Sequence, residues 1–264
     1  MSKRTRLKVN RAKHQGSAGR YLLVLAVIVA AAAWRWNAGR PAQSKQAPET
    51  NRASLTATNP DIDLAPTTPV GLTNDPSTLV DQGTALFYKG DMEGAAGKYS
   101  QALKLNPEDE EIHFNMARAC TVLGRTNEAI LHYMEALRIL PEYAEAHNNL
   151  GNLLVALRRH PEALEHFSAA LKANPENSSA LNNLGRCLAE MGQTKEAAVQ
   201  FSEAVRLHPD YLEAHFNLAS AQASLGNFEE AIRELEKVLQ LEPDFVPAKE
   251  ALQRVRAKQA KKTP

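Results

Sequence analysis

Five prolines, Pro107, Pro141, Pro175, Pro209 and Pro243, stand at a constant interval of 34 residues, and the segments they delimit repeat one plan. With Ala144 as position 1, position 8 holds Gly83, Ala117, Gly151, Gly185 and Ala219, so no side chain larger than a methyl stands there. Position 20 is alanine throughout, at Ala95, Ala129, Ala163, Ala197 and Ala231. Position 24 is large, with Tyr99, Tyr133, Phe167, Phe201 and Leu235, and position 27 is small again, with Ala102, Ala136, Ala170, Ala204 and Val238. Small residues at fixed places let helices approach closely, and one large side chain per copy fills the groove that results.

This period and alternation resemble the tetratricopeptide repeat, a helix-turn-helix unit. The resemblance covers residues 76–245 and implies an all-α fold, a right-handed α-solenoid of five units at 76–109, 110–143, 144–177, 178–211 and 212–245. Helix A of each unit is expected over positions 1 to 14 and helix B over 17 to 31. Gly90, Gly124, Gly192 and Gly226 mark the turn between them, because glycine supplies the left-handed conformation that ends many helices. The middle copy has Arg158 there, and Pro161 near the first turn of its helix B. The first copy carries Gly94 and Gly97 in helix B, each costing about 1 kcal/mol against alanine, and is expected to fray first. Residues 246–264 are expected to form a capping helix with a basic tail, its Ala248, Ala251, Leu252 and Val255 covering the last unit.

Upstream of the repeats the composition changes. Residues 1–20 hold seven Lys and Arg and no acid, and Tyr21 to Trp34 run without a charge. Such a run suits a single transmembrane signal-anchor helix over 21–36, with Tyr21, Trp34 and Trp36 at the interfaces and Arg20 and Arg35 snorkelling. Ala31 to Ala33 also satisfies a small-x-small cleavage rule, so secretion after signal-peptide removal is the alternative. The basic excess before the run places the N-terminus in the cytoplasm and the repeats on the outer, periplasmic or extracytoplasmic, side. Residues 37–75, with Pro41, Pro48, Pro60, Pro66 and Pro69, read as a disordered linker.

Charge separates the regions further. Residues 1–75 carry 11 basic side chains against 4 acidic ones, whereas residues 76–248 carry 14 against 25. An acidic array repels phosphate backbones, so nucleic acid is not an expected partner. Cys120 and Cys187, two repeats apart, are too distant to pair and read as small buried hydrophobes.

Nothing in the sequence points to catalysis, a cofactor or a metal: there is no H-E-x-x-H, C-x-x-C, Gly-rich phosphate loop or G-x-S-x-G. His113, His147 and His215 share position 4 and read as packing residues, while His132 and His166 share position 23 and are expected to face solvent. The unexplained column is position 6, with Asp81, Asn115, Asn149, Asn183 and Asn217, since asparagine is a mediocre helix former. The family resemblance places positions 2, 5, 6, 9, 12 and 13 of helix A on the concave face. A carboxamide there can match the C=O and N–H of an extended peptide without reading its sequence. The column resembles the asparagine ladder of O-linked N-acetylglucosamine transferases, although the catalytic domain of those enzymes is not expected here. Its alternative is a set of bonds between adjacent helices. Beside it, position 9 gives Arg118, Asn152, Arg186 and Ser220, and position 5 gives Phe114, Asn148, Asn182 and Phe216. Arginines suit carboxylates and phenylalanines give apolar contact. The lysine at position 5 that chaperone-binding members of the family use is absent. The expected function is a membrane-tethered adaptor or scaffold that binds an extended segment of a partner protein. The alternatives are an accessory subunit of an envelope-assembly or cofactor-maturation system, and a protein like mitochondrial import receptors.

Overall fold

A computed structural model describes residues 75–262. The basic leader, the apolar run at 21–36 and the linker up to residue 74 lie outside the described residues. The described residues form eleven helices and no strand. They are α1 Pro76–Tyr88, α2 Met92–Leu105, α3 Glu110–Val122, α4 Thr126–Ile139, α5 Ala144–Ala156, α6 His160–Ala173, α7 Ser178–Glu190, α8 Thr194–Leu207, α9 Leu212–Leu225, α10 Phe228–Leu241 and α11 Val246–Lys262. Odd-numbered helices α1 to α9 are the A helices and even-numbered ones the B helices. None of the eleven is long and apolar enough to cross a membrane.

Local chemistry sets the boundaries. Asp75, Asp91, Asp109 and Asn177 each accept a hydrogen bond from a backbone N–H three residues on, at 2.9–3.2 Å, and so cap α1, α2, α3 and α7. Four A–B turns pass through a glycine in the left-handed region, with φ of 72–87° at Gly90, Gly124, Gly192 and Gly226. In the third repeat Arg158 takes the same conformation at φ 62°, the one non-glycine residue to do so among those described.

The small and large columns meet inside each repeat. A Cβ added to Gly83, Gly151 or Gly185 would come within 2.6–2.7 Å of the ring of Tyr99, Phe167 or Phe201 of the same repeat. The position 24 ring thus lies directly on the backbone of helix A, which fixes how closely A and B approach. Each B helix then packs on the A helix of the following repeat, and the A helices α1 and α3, α5 and α7, and α7 and α9 also touch. This gives an inner face of A helices. The series ends with α11, whose Ala248, Leu252 and Val255 are buried against Ala231, Leu235 and Val238.

Candidate functional site

The A-helix face holds the residues singled out by the repeat pattern, and the structure divides them into two sets. In the first set the side chains bond between repeats. Asn183 in α7 donates its Nδ2–H to Oδ1 of Asn148 in α5 at 3.0 Å, and Asn217 in α9 donates to Asn182 in α7 at 2.9 Å. Position 6 of one repeat therefore grips position 5 of the preceding one. Asn182 is fully enclosed and gives its own Nδ2–H to the Tyr211 hydroxyl at 3.4 Å, so its amide is occupied on both sides. An amide at these places is explained by interhelical bonding, because a buried carboxamide without partners is costly and an apolar residue could not bridge the A helices.

In the second set the side chains keep capacity toward the open face. Asn152 is half-buried and makes no side-chain hydrogen bond among the described residues. Asn149 is half-buried beside the Tyr133 hydroxyl, whose pKa burial pushes up to about 12. Asn183 and Asn217 each retain one N–H beyond the bond just described. Asn115 is mostly covered and accepts from Nη1 of Arg118 at 3.3 Å, and Asn183 sits likewise 3.5 Å from Nη1 of Arg186. The two arginines differ in their surroundings. Arg186 lies 3.7 Å from Oε1 of Glu213. Arg118 lies over the Phe87 ring at 4.6 Å and beside the Phe114 ring at 5.7 Å.

The position 5 phenylalanines are half-buried, each against a second ring. Phe114 stacks on Tyr143 with ring centroids 4.9 Å apart, and Phe216 meets Phe245 edge-on at 5.6 Å. Asn182 and Tyr211 stand in the same relation. Position 34 thus supplies an aromatic partner to position 5 in three repeats, and Phe87 at position 12 adds a ring beside Arg118. The partner at position 34 was not visible in the sequence, since that position mixes Asp109, Tyr143, Asn177, Tyr211 and Phe245 and so shows no uniform residue type, whereas position 12 is among those the family resemblance places on the concave face.

The histidines depart from the expectation for position 23. His132 and His166 are half-buried and bond across the repeat to position 4: Nδ1 of His113 lies 2.9 Å from Nδ1 of His132, and His147 and His166 repeat the distance. The expectation of solvent-facing rings failed because helix B turns position 23 toward the A helix, where another imidazole awaits it. Among the described residues no three His, Cys, Asp or Glu side chains gather as a metal site. Cys120 and Cys187 are free and buried, and burial raises both thiol pKa values, that of Cys120 to about 11, which keeps them protonated and unreactive.

Comparison with known proteins agrees with this architecture. Models of the tetratricopeptide repeat match residues 83–120, 117–158, 148–207 and 188–258. The chain belongs to the tetratricopeptide repeat proteins. No match to a curated protein sequence is found. Among solved structures, YrrB, described as a TPR protein with an unusual peptide-binding site, is 26% identical with a TM-score of 0.56, covering 69% of this chain and 94% of that one. A thermophilic TPR protein of Thermus thermophilus, TTC0263, is 24% identical (TM-score 0.56; 69% of this chain, 99% of that one). PilW, a type IV pilus biogenesis factor, is 22% identical (TM-score 0.61; 69% and 91%).

Proposed function

We propose that this protein is a non-enzymatic interaction scaffold that takes an extended segment of a partner protein along its A-helix face. The observation that carries this reading is the row of amides left with hydrogen-bonding capacity, above all Asn152, which has no partner of its own among the described residues. Helices pack about 8–10 Å apart, and an extended peptide rises about 3.3 Å per residue, so one amide per repeat meets such a segment roughly every third residue. The interhelical bonds of Asn183 and Asn217 do not oppose this, because they hold the carboxamides in fixed orientation and leave a second N–H on each. The structurally similar YrrB carries a peptide-binding site. The acidic balance of the repeats argues for protein and against nucleic acid as the partner.

The proposal includes a tether. The uncharged run from Tyr21 to Trp34 behind a basic leader supports a membrane anchor at 21–36, with the repeats on the outer side.

The test is selection of phage-displayed random dodecapeptides on the full chain in detergent, followed by binding of the selected peptides to Asn149→Ala/Asn152→Ala. Selected peptides should lose roughly tenfold or more in affinity to that variant while circular dichroism shows it folded, each lost hydrogen bond contributing about 0.5–1.5 kcal/mol. Peptides that bind the variant and the parent alike, or a library that yields none, would overturn the reading.

A further inference from the structure

The repeats between residues 76 and 245 contain eight arginines. Seven have a carboxylate partner: Arg125 with Glu93, Arg138 with Glu108, Arg158 with Glu190, Arg159 with Glu162, Arg186 with Glu213, Arg206 with Glu203 and Arg233 with Glu230. The eighth, Arg118, has none among the described residues. It is half-buried, as Arg186 is, but is held by aromatic rings, over Phe87 and beside Phe114, with Asn115 accepting one of its N–H groups. A guanidinium fixed in this way has lost part of its hydration and much of its side-chain freedom before any ligand arrives. Ring contact offsets the charge in part and leaves most of the five N–H donors unassigned. A carboxylate is the group that matches such a fork, because it accepts two parallel N–H bonds.

Resting on the groove reading above, we propose that Arg118 is the specificity point of the A-helix face, and that the segment bound there carries one Asp or Glu next to an apolar side chain. Val122 stands one turn beyond Arg118 on α3, and Tyr88 follows Phe87 at the end of α1. Both are large apolar side chains about half exposed, so they offer a contact surface for that neighbouring residue. A run of acids is disfavoured: Asp75, Asp81, Asp109 and Glu111 line the cleft at the N-terminal ends of α1 and α3. Glu111 precedes Arg118 by two turns, about 10.5 Å along the axis and close to one Debye length, so a single carboxylate at Arg118 is little affected while a longer acidic tract is repelled. Arg186, at the same position two repeats on, does not duplicate the site, since Glu213 already faces it.

The selected dodecapeptides decide the matter. The expected result is enrichment of an Asp or Glu within a few residues of an apolar side chain, with affinity reduced roughly tenfold or more in Arg118→Gln and little changed in Arg186→Gln. Replacing the peptide's acid by its amide should cost the same and should cost nothing further in Arg118→Gln. Arg118→Lys, which keeps the charge but not the fork, should fall between. Circular dichroism melting of each variant separates loss of the site from loss of the fold. Peptides that lack an acid, or that keep their affinity in Arg118→Gln while losing it in Asn149→Ala/Asn152→Ala, would overturn the role of Arg118 and leave the groove standing. Peptides insensitive to all of these substitutions would overturn both.

Discussion

The Nδ1 atoms of His147 and His166 face each other at 2.9 Å while Nε2 of His147 lies 3.0 Å from the Pro141 carbonyl. A carbonyl only accepts, so Nε2 of His147 carries the proton and its Nδ1 is the lone pair that receives Nδ1–H of His166. His113, His132 and Pro107 repeat this arrangement one interval earlier. In the fifth repeat the partner at position 23 is Glu234, whose carboxylate accepts from Nδ1 of His215 at 2.5 Å, while the Pro209 carbonyl takes Nε2–H at 2.9 Å. Both nitrogens of His215 then face acceptors, an arrangement that favours the charged ring. The residue at position 23 thus sets which partner position 4 meets.

These two kinds of pair respond to pH in opposite senses. Burial, and next the neighbouring histidine, lower the pKa of His132 and His166 below the ordinary value of about 6.5, against the opposing pull of Glu128 and Glu135 and of Glu162 and Glu165. A base held neutral by the fold contributes stability that is complete above about 6.5 and is lost as pH falls through that value toward the lower folded pKa. The pKa of His215 is raised: burial works against the charge, but the bonds to Glu234 and Pro209 outweigh it. Its contribution is complete below about 6.5 and is lost as pH rises through the higher folded value. Urea midpoints between neutral and mildly acid pH should fall in the parent and fall less in His132→Gln/His166→Gln, glutamine being the natural residue at that position in the fourth repeat, Gln200. Glu234→Gln should lose stability chiefly on the acid side.

Arg158 is a test of backbone strain. A left-handed residue other than glycine costs about 1–2 kcal/mol, whereas glycine costs about 0.5–1 kcal/mol of additional chain entropy. Its exposed ion pair with Glu190 offsets little. Arg158→Gly should therefore raise stability by up to about 1 kcal/mol, read as a higher denaturation midpoint, and Arg158→Ala should not.

Removal of residues 246–264 uncovers the side chains that α11 buries on the fifth repeat. Leu235 and Val238 are almost fully enclosed, and each large apolar side chain is worth about 1.5–3 kcal/mol when buried. The truncated protein should melt lower and associate through the exposed face, seen as a concentration-dependent sedimentation coefficient. A monomer with the parent's melting temperature would show that the helix is dispensable.

The repeat made the fold legible because a period constrains every copy at once: Gly151 and Phe167 already specify in the sequence the contact that the structure shows between them. What remained illegible depends on which neighbour a polar group finds. Asn148 and Asn149 are adjacent, of one type, and yet one bonds to the next repeat while the other lies beside Tyr133. Arg118 and Arg186 share a position and differ because Glu213 stands near one and Phe87 near the other. Those distinctions arise from pairing between repeats, which residue type and spacing do not encode.

The asparagines follow from that pairing and divide by experiment. Asn217→Ala strands the Oδ1 of the fully buried Asn182, and Asn183→Ala does the same to Asn148. Leaving a buried acceptor without a donor costs about 1–3 kcal/mol, which exceeds the few tenths that alanine gains in helix propensity, so both variants should be less stable. Asn148→Ala together with Asn183→Ala removes both partners and should cost less than the sum of the two single changes, a coupling measurable in a double-mutant cycle. Asn152→Ala abandons no partner among the described residues and should be as stable as the parent or slightly more so. A loss of peptide affinity in Asn152→Ala at full stability would locate the ligand, since the interhelical amides cannot be changed without disturbing the stack that presents them.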